Sequence, residues 1–186
     1  MWRQHLGRVG RGFSMSIWGE SGHGKTSYTM QMCKELALHG KVLYNSKEEG
    51  DSSTIQDAYI THNMQEVKGR MMLGDRLELD EMIEKMRKGR YQTLVCDSVD
   101  YLGITKQQYI SLREQFKHAN LIFLNWQRGD RPKTQAGKDI MYMSDIKTQV
   151  KNYVAYARSR WGSLEDFVIW PEKVQKIHRR NGQVGL

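Results

Sequence analysis

Two residues with clear chemistry, Lys25 and Thr26, close the stretch Gly19-Glu20-Ser21-Gly22-His23-Gly24-Lys25-Thr26, with Ser27 next in the chain. The stretch fits G-x-x-x-x-G-K-[ST], a loop whose backbone N–H groups wrap the phosphates of a nucleotide. Glycines at 19, 22 and 24 suit the positive φ angles and close backbone approach that such wrapping needs. Lys25 supplies a point charge for β- and γ-phosphates, and the Thr26 hydroxyl is a hard oxygen suited to Mg²⁺. A strand over 13–18 before the loop and a helix over 27–38 after it are predicted, so the helix N-terminus adds to anion binding.

Carboxylates complete the chemistry. Asp97 ends the apolar run Leu94-Val95-Cys96, where an acid holds the metal opposite Thr26. Asp100 lies past that strand end and reads as a loop carboxylate. Glu48 and Glu49 follow the strand after the loop's helix, at the strand end where ligands of parallel sheets bind. One of the pair, Glu48 by preference, is placed to activate an attacking water. Asn125 and Gln127 close a further apolar strand at the same edge and are candidates to sense the γ-phosphate. Trp126 between them reads as core. Beyond them, Arg128, Arg131, Lys133 and Lys138 are four cations in a Gly- and Pro-containing polar loop over 128–139, with Tyr142 following. Cations neutralise phosphates and an aromatic ring stacks on a base, so this segment is the candidate nucleic-acid surface.

These groups need a scaffold that alternates strands and helices. The pattern predicts strands over 41–45, 67–73, 92–96 and 119–125, and helices over 54–63, 75–88 and 105–118. A helical turn over 145–150 and strands over 152–159, 166–170 and 174–180 complete the tail. Alternation implies parallel pairing covered on both faces, with an antiparallel extension at the C-terminal end. The 186 residues suit one domain, and residues 1–12 read as a short basic lead-in without an accessory domain. The net charge of +8, from 29 Lys and Arg against 21 Asp and Glu, favours a polyanionic partner. Neither of the two cysteines, Cys33 and Cys96, has metal-ligand spacing, and both read as reduced core residues of a cytoplasmic protein. No apolar run suggests a membrane span.

The motifs, in this order, resemble the RecA-like ATPase core, in the branch of DnaB-type replicative helicases, RadA proteins and phage recombinases. The resemblance rests on the phosphate loop, Val42-Leu43-Tyr44-Asn45-Ser46-Lys47-Glu48-Glu49, Leu94-Val95-Cys96-Asp97-Ser98-Val99, Leu121-Ile122-Phe123-Leu124-Asn125 and His178-Arg179-Arg180-Asn181-Gly182. It spans nearly the whole chain. It implies a RecA-like three-layer α/β sandwich whose mainly parallel sheet is extended by antiparallel C-terminal strands. It further implies ATP and Mg²⁺ as ligands, Glu48 as catalytic glutamate, Asn125 or Gln127 as sensor, and the 128–139 segment facing DNA. Arg180 would be a finger reaching the ATP of a neighbouring subunit. The family's finger motif has Lys two residues before the Arg, where this chain has His178; on a strand, Lys176, His178 and Arg180 would share one face. The partners implied are single-stranded DNA, further copies of the chain in a ring or filament, and proteins of replication or recombination. A small P-loop kinase and a nucleotide-gated helicase loader are the alternatives.

Overall fold

The computed structural model describes residues 1–48, 50 and 53–182, without the side chains of 178 and 180–182. In chain order the elements are α1 (Trp2–Leu6), β1 (Ser14–Gly19), α2 (Lys25–His39), β2 (Val42–Ser46), α3 (Ser53–Thr61), β3 (Met71–Asp75), α4 (Leu79–Gly89), β4 (Thr93–Asp97), α5 (Val99–Leu102), α6 (Lys106–Gln115), β5 (Asn120–Arg128), β6 (Arg131–Pro132), α7 (Gln135–Met143), β7 (Ile146–Lys151), β8 (Val154–Ser159), β9 (Phe167–Val168) and α8 (Pro171–Gly182).

Every residue of β1, β2 and β4 is buried, as expected of strands covered on both faces. The sheet runs β3-β2-β4-β5-β1-β7-β8-β9, with β6 hydrogen-bonded to β5. From β3 to β7 all neighbours are parallel; β8 is antiparallel to β7 and to β9. Strand pleating sorts the core into two layers. Met15, Ile17, Tyr44, Val95, Ile122 and Leu124 pack with Tyr28, Met30 and Cys33 of α2. Leu43, Leu94, Cys96, Leu121 and Phe123 pack on the other face with α4, α6 and α7 through Met82, Met86, Tyr109, Leu112 and Ile140. The chain is thus α/β, with a mostly parallel central sheet, antiparallel strands at one side and helices on both faces, compatible with a three-layer sandwich. Cys33 and Cys96 are free and buried, and burial pushes both thiols up from their ordinary range. Among the described residues no helix is long and apolar enough to cross a membrane.

Several elements depart from the sequence expectation. Residues expected to form a helical turn over 145–150 form β7, whose Ile146, Thr148 and Val150 point inward at strand spacing. Residues 174–180, expected as a strand, lie in α8; Pro171 suits the first helical position, and Glu172 suits the positive end of the helix. Lys176 and Arg180 are therefore one helical turn apart rather than alternate residues of a strand. The 128–139 segment is not a loop throughout: β5 continues to Arg128, turns at Gly129 and Asp130, and returns as β6 before α7. Residues 64–67 form a 3-10 turn before β3. The lead-in also packs: Trp2 of α1 stacks on Phe167 at 4.5 Å between ring centroids, and buried His5 meets the Tyr28 hydroxyl at 2.8 Å.

Candidate nucleotide site

The loop between β1 and α2 derives its shape from three glycines with two different reasons. Gly22 and Gly24 have φ of 75° and 103°, a region that side chains rarely adopt. Gly19 is needed for space, because a Cβ there would lie 2.3 Å from the Val150 carbonyl oxygen of β7. Gly24 is also the N-cap of α2 and brings no side-chain acceptor to the helix's first turn. The N–H groups of that turn are left for a ligand, whereas Thr105 and Thr134 close the corresponding turns of α6 and α7. Lys25 Nζ donates to the carbonyls of Gly19 at 2.9 Å and Glu20 at 3.0 Å. Burial pulls the Lys25 ammonium below the ordinary lysine range, while Asp97, Glu48 and Asp100 oppose the shift electrostatically.

The loop forms one wall of a cleft of about 360 Å³, lined by Ser21, Gly22, Gly24, Lys25, Thr26 and Ser27. Glu48, Thr54, Asp97, Trp126, Tyr153 and Lys173 line the remainder. The strand order explains the convergence: β5 lies between β1, which carries the loop, and β4, which carries Asp97. Asp97 follows Val95 by two, so it projects to the α2 side of the sheet. There the hydroxyl of fully buried Tyr44 donates to Asp97 Oδ2 at 2.5 Å. The Asp97 carbonyl accepts from Lys47 N and from Glu48 N, the latter at 3.2 Å, and this ties the end of β2 to the end of β4. Glu48 is held at its carboxylate as well, since Trp126 Nε1 donates to Glu48 Oε2 at 2.9 Å. Glu49, the alternative catalytic carboxylate, lies outside the described residues.

The same pleat separates the two sensor candidates from the cleft. Asn125 is fully buried on the opposite face, where its amide donates to Ser16 Oγ at 3.2 Å. It lies so close to Gly137 of α7 that a Cβ there would stand 2.5 Å from Asn125 Oδ1. Gln127 accepts from Gln149 Nε2 at 3.2 Å, across the end of β1. Neither lines the cleft. Trp126, between them, does, and sequence reasoning missed it because an apolar ring at a strand end reads as core. Its surroundings are specific. Asp100 Oδ2 accepts from Trp126 N at 2.7 Å, so this carboxylate positions a strand end. The Lys133 N–H donates to the Trp126 carbonyl at 2.7 Å, and the Lys133 ammonium lies 4.9 Å from the ring centroid. Lys133 thus bridges the β5–β6 hairpin to the cleft as well as presenting charge.

Tyr153 is the other residue not anticipated. It occupies the two-residue turn between β7 and β8 with Asn152, both at positive φ (62° and 52°), where a tyrosine is rarely found. Its N–H donates to the His23 carbonyl at 3.1 Å and its ring contacts the Gly24 position. Lys173 of α8 lies 4.7 Å from the same ring. His23 itself is close to Glu20, at 3.7 Å. Arg180 has its backbone in α8, but its side chain lies outside what the structure describes, as do those of His178 and Asn181.

Thr26 and Asp97 place a hydroxyl and a carboxylate on one cleft, a donor set that fits Mg²⁺, which keeps several waters and uses few protein ligands beside phosphate oxygens. Among the described residues there is no cluster of three or more His, Cys, Asp or Glu side chains able to hold a metal alone. The sequence matches no protein-family model and no curated protein.

Proposed function

We propose that the chain is a RecA-like ATPase that hydrolyses ATP in the β1–α2 cleft and works on single-stranded DNA as a ring or filament. The observation that carries it is the meeting of three groups in one cleft: a phosphate loop with an uncapped helix N-terminus, Asp97, and Glu48 oriented by Trp126. Backbone N–H groups of the loop and Lys25 bind the phosphates. Mg²⁺ held by Thr26 and, through water, Asp97 would offset charge on the β- and γ-oxygens. Glu48 accepts a proton from water as its oxygen attacks the γ-phosphorus; the bond from that phosphorus to the bridging oxygen breaks, and ADP leaves with the electron pair. The cations of the hairpin, Arg128, Arg131 and Lys133, with Lys138 of α7, face the nucleic acid. In this account Arg180 serves the ATP of an adjacent subunit, since a fixed guanidinium suits charge that grows in the transition state.

Steady-state ATP hydrolysis with and without single-stranded DNA tests the proposal. ATP turnover raised by single strands is expected. Turnover that requires a small-molecule acceptor, or none under any condition, contradicts it. Mixing Arg180→Ala subunits with Lys25→Ala subunits tests the shared site, because some interfaces then pair an intact loop with an intact Arg180. Partial recovery of activity is expected; mixed assemblies without recovery remove Arg180 from the site.

A further inference from the structure

The nucleic-acid candidates Arg128 and Arg131 face each other across the β5–β6 hairpin as a cross-strand pair. A second pair of like charges stands on the far side of β1, where Lys147 of β7 is directly opposite Arg158 of β8. Like charges in such registers oppose sheet formation. Among the described residues none of the four is ion-paired with a carboxylate, although Asp145 nearby takes both Arg113 and Arg160. Two such pairs on ribbons that flank β1 make sense where the compensating charge comes from outside.

The ground between the pairs has the other half of the chemistry. Lys147, Gln149, Tyr156 and Arg158 project from one face of β7–β8, alternating with the buried Ile146, Thr148, Val150 and Ala155. With Trp18, Arg131, Met141 and Tyr142 they line a groove of about 530 Å³. Tyr142 and Tyr156 are 58 % and 44 % exposed, so each presents a ring surface to solvent. Arg131 donates to the Tyr142 hydroxyl at 2.6 Å, which fixes one ring beside one cation. Asp130 and Asp166 also border the groove. The Asp130 carbonyl accepts from Trp18 Nε1 at 3.0 Å, which leaves that indole's edge in the groove wall.

We infer that this sheet face is a binding site for single-stranded nucleic acid, with Lys147 and Arg158 on the phosphates and Tyr156 and Tyr142 stacking on bases. Cations along a groove, interleaved with exposed rings, are the combination that holds single strands without reading sequence. The strand passes from the β5–β6 hairpin onto the β7–β8 ribbon. The site rests on the proposed action on single-stranded DNA and extends it to residues outside the 128–139 segment.

The test uses fluorescence anisotropy of a labelled oligothymidylate at several salt concentrations, with the full chain as parent. Each phosphate that is no longer neutralised flattens the slope of log K against log salt by about 0.7. Lys147→Ala with Arg158→Ala should flatten it by about 1.4, and Tyr156→Ala should weaken binding about tenfold while Tyr156→Phe retains it. Because Lys147→Ala relieves a like-charge pair, its unfolding midpoint should equal or exceed the parent's. A markedly lower midpoint would overturn the premise that the pair is uncompensated. If Arg131→Ala with Lys133→Ala weakens binding but the β7–β8 variants bind like the parent, the β7–β8 face is excluded and action on single strands stands. If the parent does not bind oligothymidylate even at low salt, both fail.

Discussion

Trp126→Phe is the sharpest perturbation of the cleft, because it removes one N–H and keeps an aromatic ring beneath the Lys133 ammonium. That N–H makes the 2.9 Å hydrogen bond to Glu48 Oε2. Hydrogen bonds to charged groups contribute about 1.5–3 kcal/mol. Trp126 and Glu48 are both half-buried, so the lower end applies, about 1.5 kcal/mol, or roughly a tenfold change in rate. Glu48 is the proton acceptor in the proposed step, and its orientation matters only when water is attacked. The loss should therefore fall on kcat, by about tenfold, with KM for ATP nearly unchanged. Steady-state hydrolysis over a range of ATP concentrations gives both constants. In a Glu48→Gln background the same substitution should have almost no further effect, since the two residues act as one unit. An unchanged kcat in Trp126→Phe, or the same tenfold loss in the Glu48→Gln background, would refute the positioning of Glu48 by Trp126.

Tyr44→Phe removes the buried hydroxyl that donates to Asp97 at 2.5 Å and should cost about 1.5–3 kcal/mol of stability in urea unfolding. It should also raise the Mg²⁺ concentration needed for half-maximal turnover, and a variant matching the parent in both measurements would remove Tyr44 from the support of Asp97. His5 gives a pH dependence. Burial pulls its imidazole below the ordinary range, against the Glu165 carbonyl and the Asp166 charge. The unfolded chain takes up this proton near pH 6.5 and the folded chain only at lower pH. Stability is therefore full above about 6.5 and falls as pH drops through that value, until the folded imidazole protonates. His62, also lowered by burial and by Lys34, contributes with the same sign, so His5→Gln should reduce the slope between about pH 5 and 6.5 and not abolish it. An unchanged slope would exclude His5. Asp145 works at the acid end. Burial would raise its carboxyl, but the Ser14 N–H and hydroxyl and Arg113 outweigh this and hold it below the usual range. Its contribution is present above about pH 4 and lost as pH falls through the folded value, so Asp145→Asn should destabilise at neutral pH and progressively less in acid.

The turn between β1 and α2 was legible because Gly22 and Gly24 supply the positive φ it takes, and the burial of β4 follows from its apolar run Leu94-Val95-Cys96. Asp97 was legible for the same reason, as an acid at the end of such a run. The assignment of Asn125 and Gln127 failed to anticipate the cleft because pleat parity decides it. Shifting by one residue turns a side chain to the other face, and composition at a strand end does not give the parity. Phe123 facing α6 through Tyr109 fixes it: Asn125 must follow Phe123, and Trp126 must follow Leu124 into the α2 layer. In β7, Ile146, Thr148 and Val150 alternate with Lys147 and Gln149, which is strand spacing, but the polar Thr148 at the centre of the inward set weakens the signal. Pairing with the buried β1 decides for strand. In α8 the stretch 174–180 was expected as a strand, whereas Pro171 and Glu172 start a helix. Tyr153 carried no signal at all, since its place beside Gly24 comes from a hairpin turn closing over the loop.

The central claim is that the β1–α2 cleft binds ATP and that Glu48 turns it over. Equilibrium binding of labelled ATP and steady-state hydrolysis, measured together on the parent, Lys25→Ala and Glu48→Gln, test it most directly. The account predicts binding and turnover in the parent, loss of binding in a folded Lys25→Ala, and retained binding with most turnover lost in Glu48→Gln. Hydrolysis by Lys25→Ala at the parent's rate would contradict the cleft, and full turnover by Glu48→Gln would contradict the role of its carboxylate.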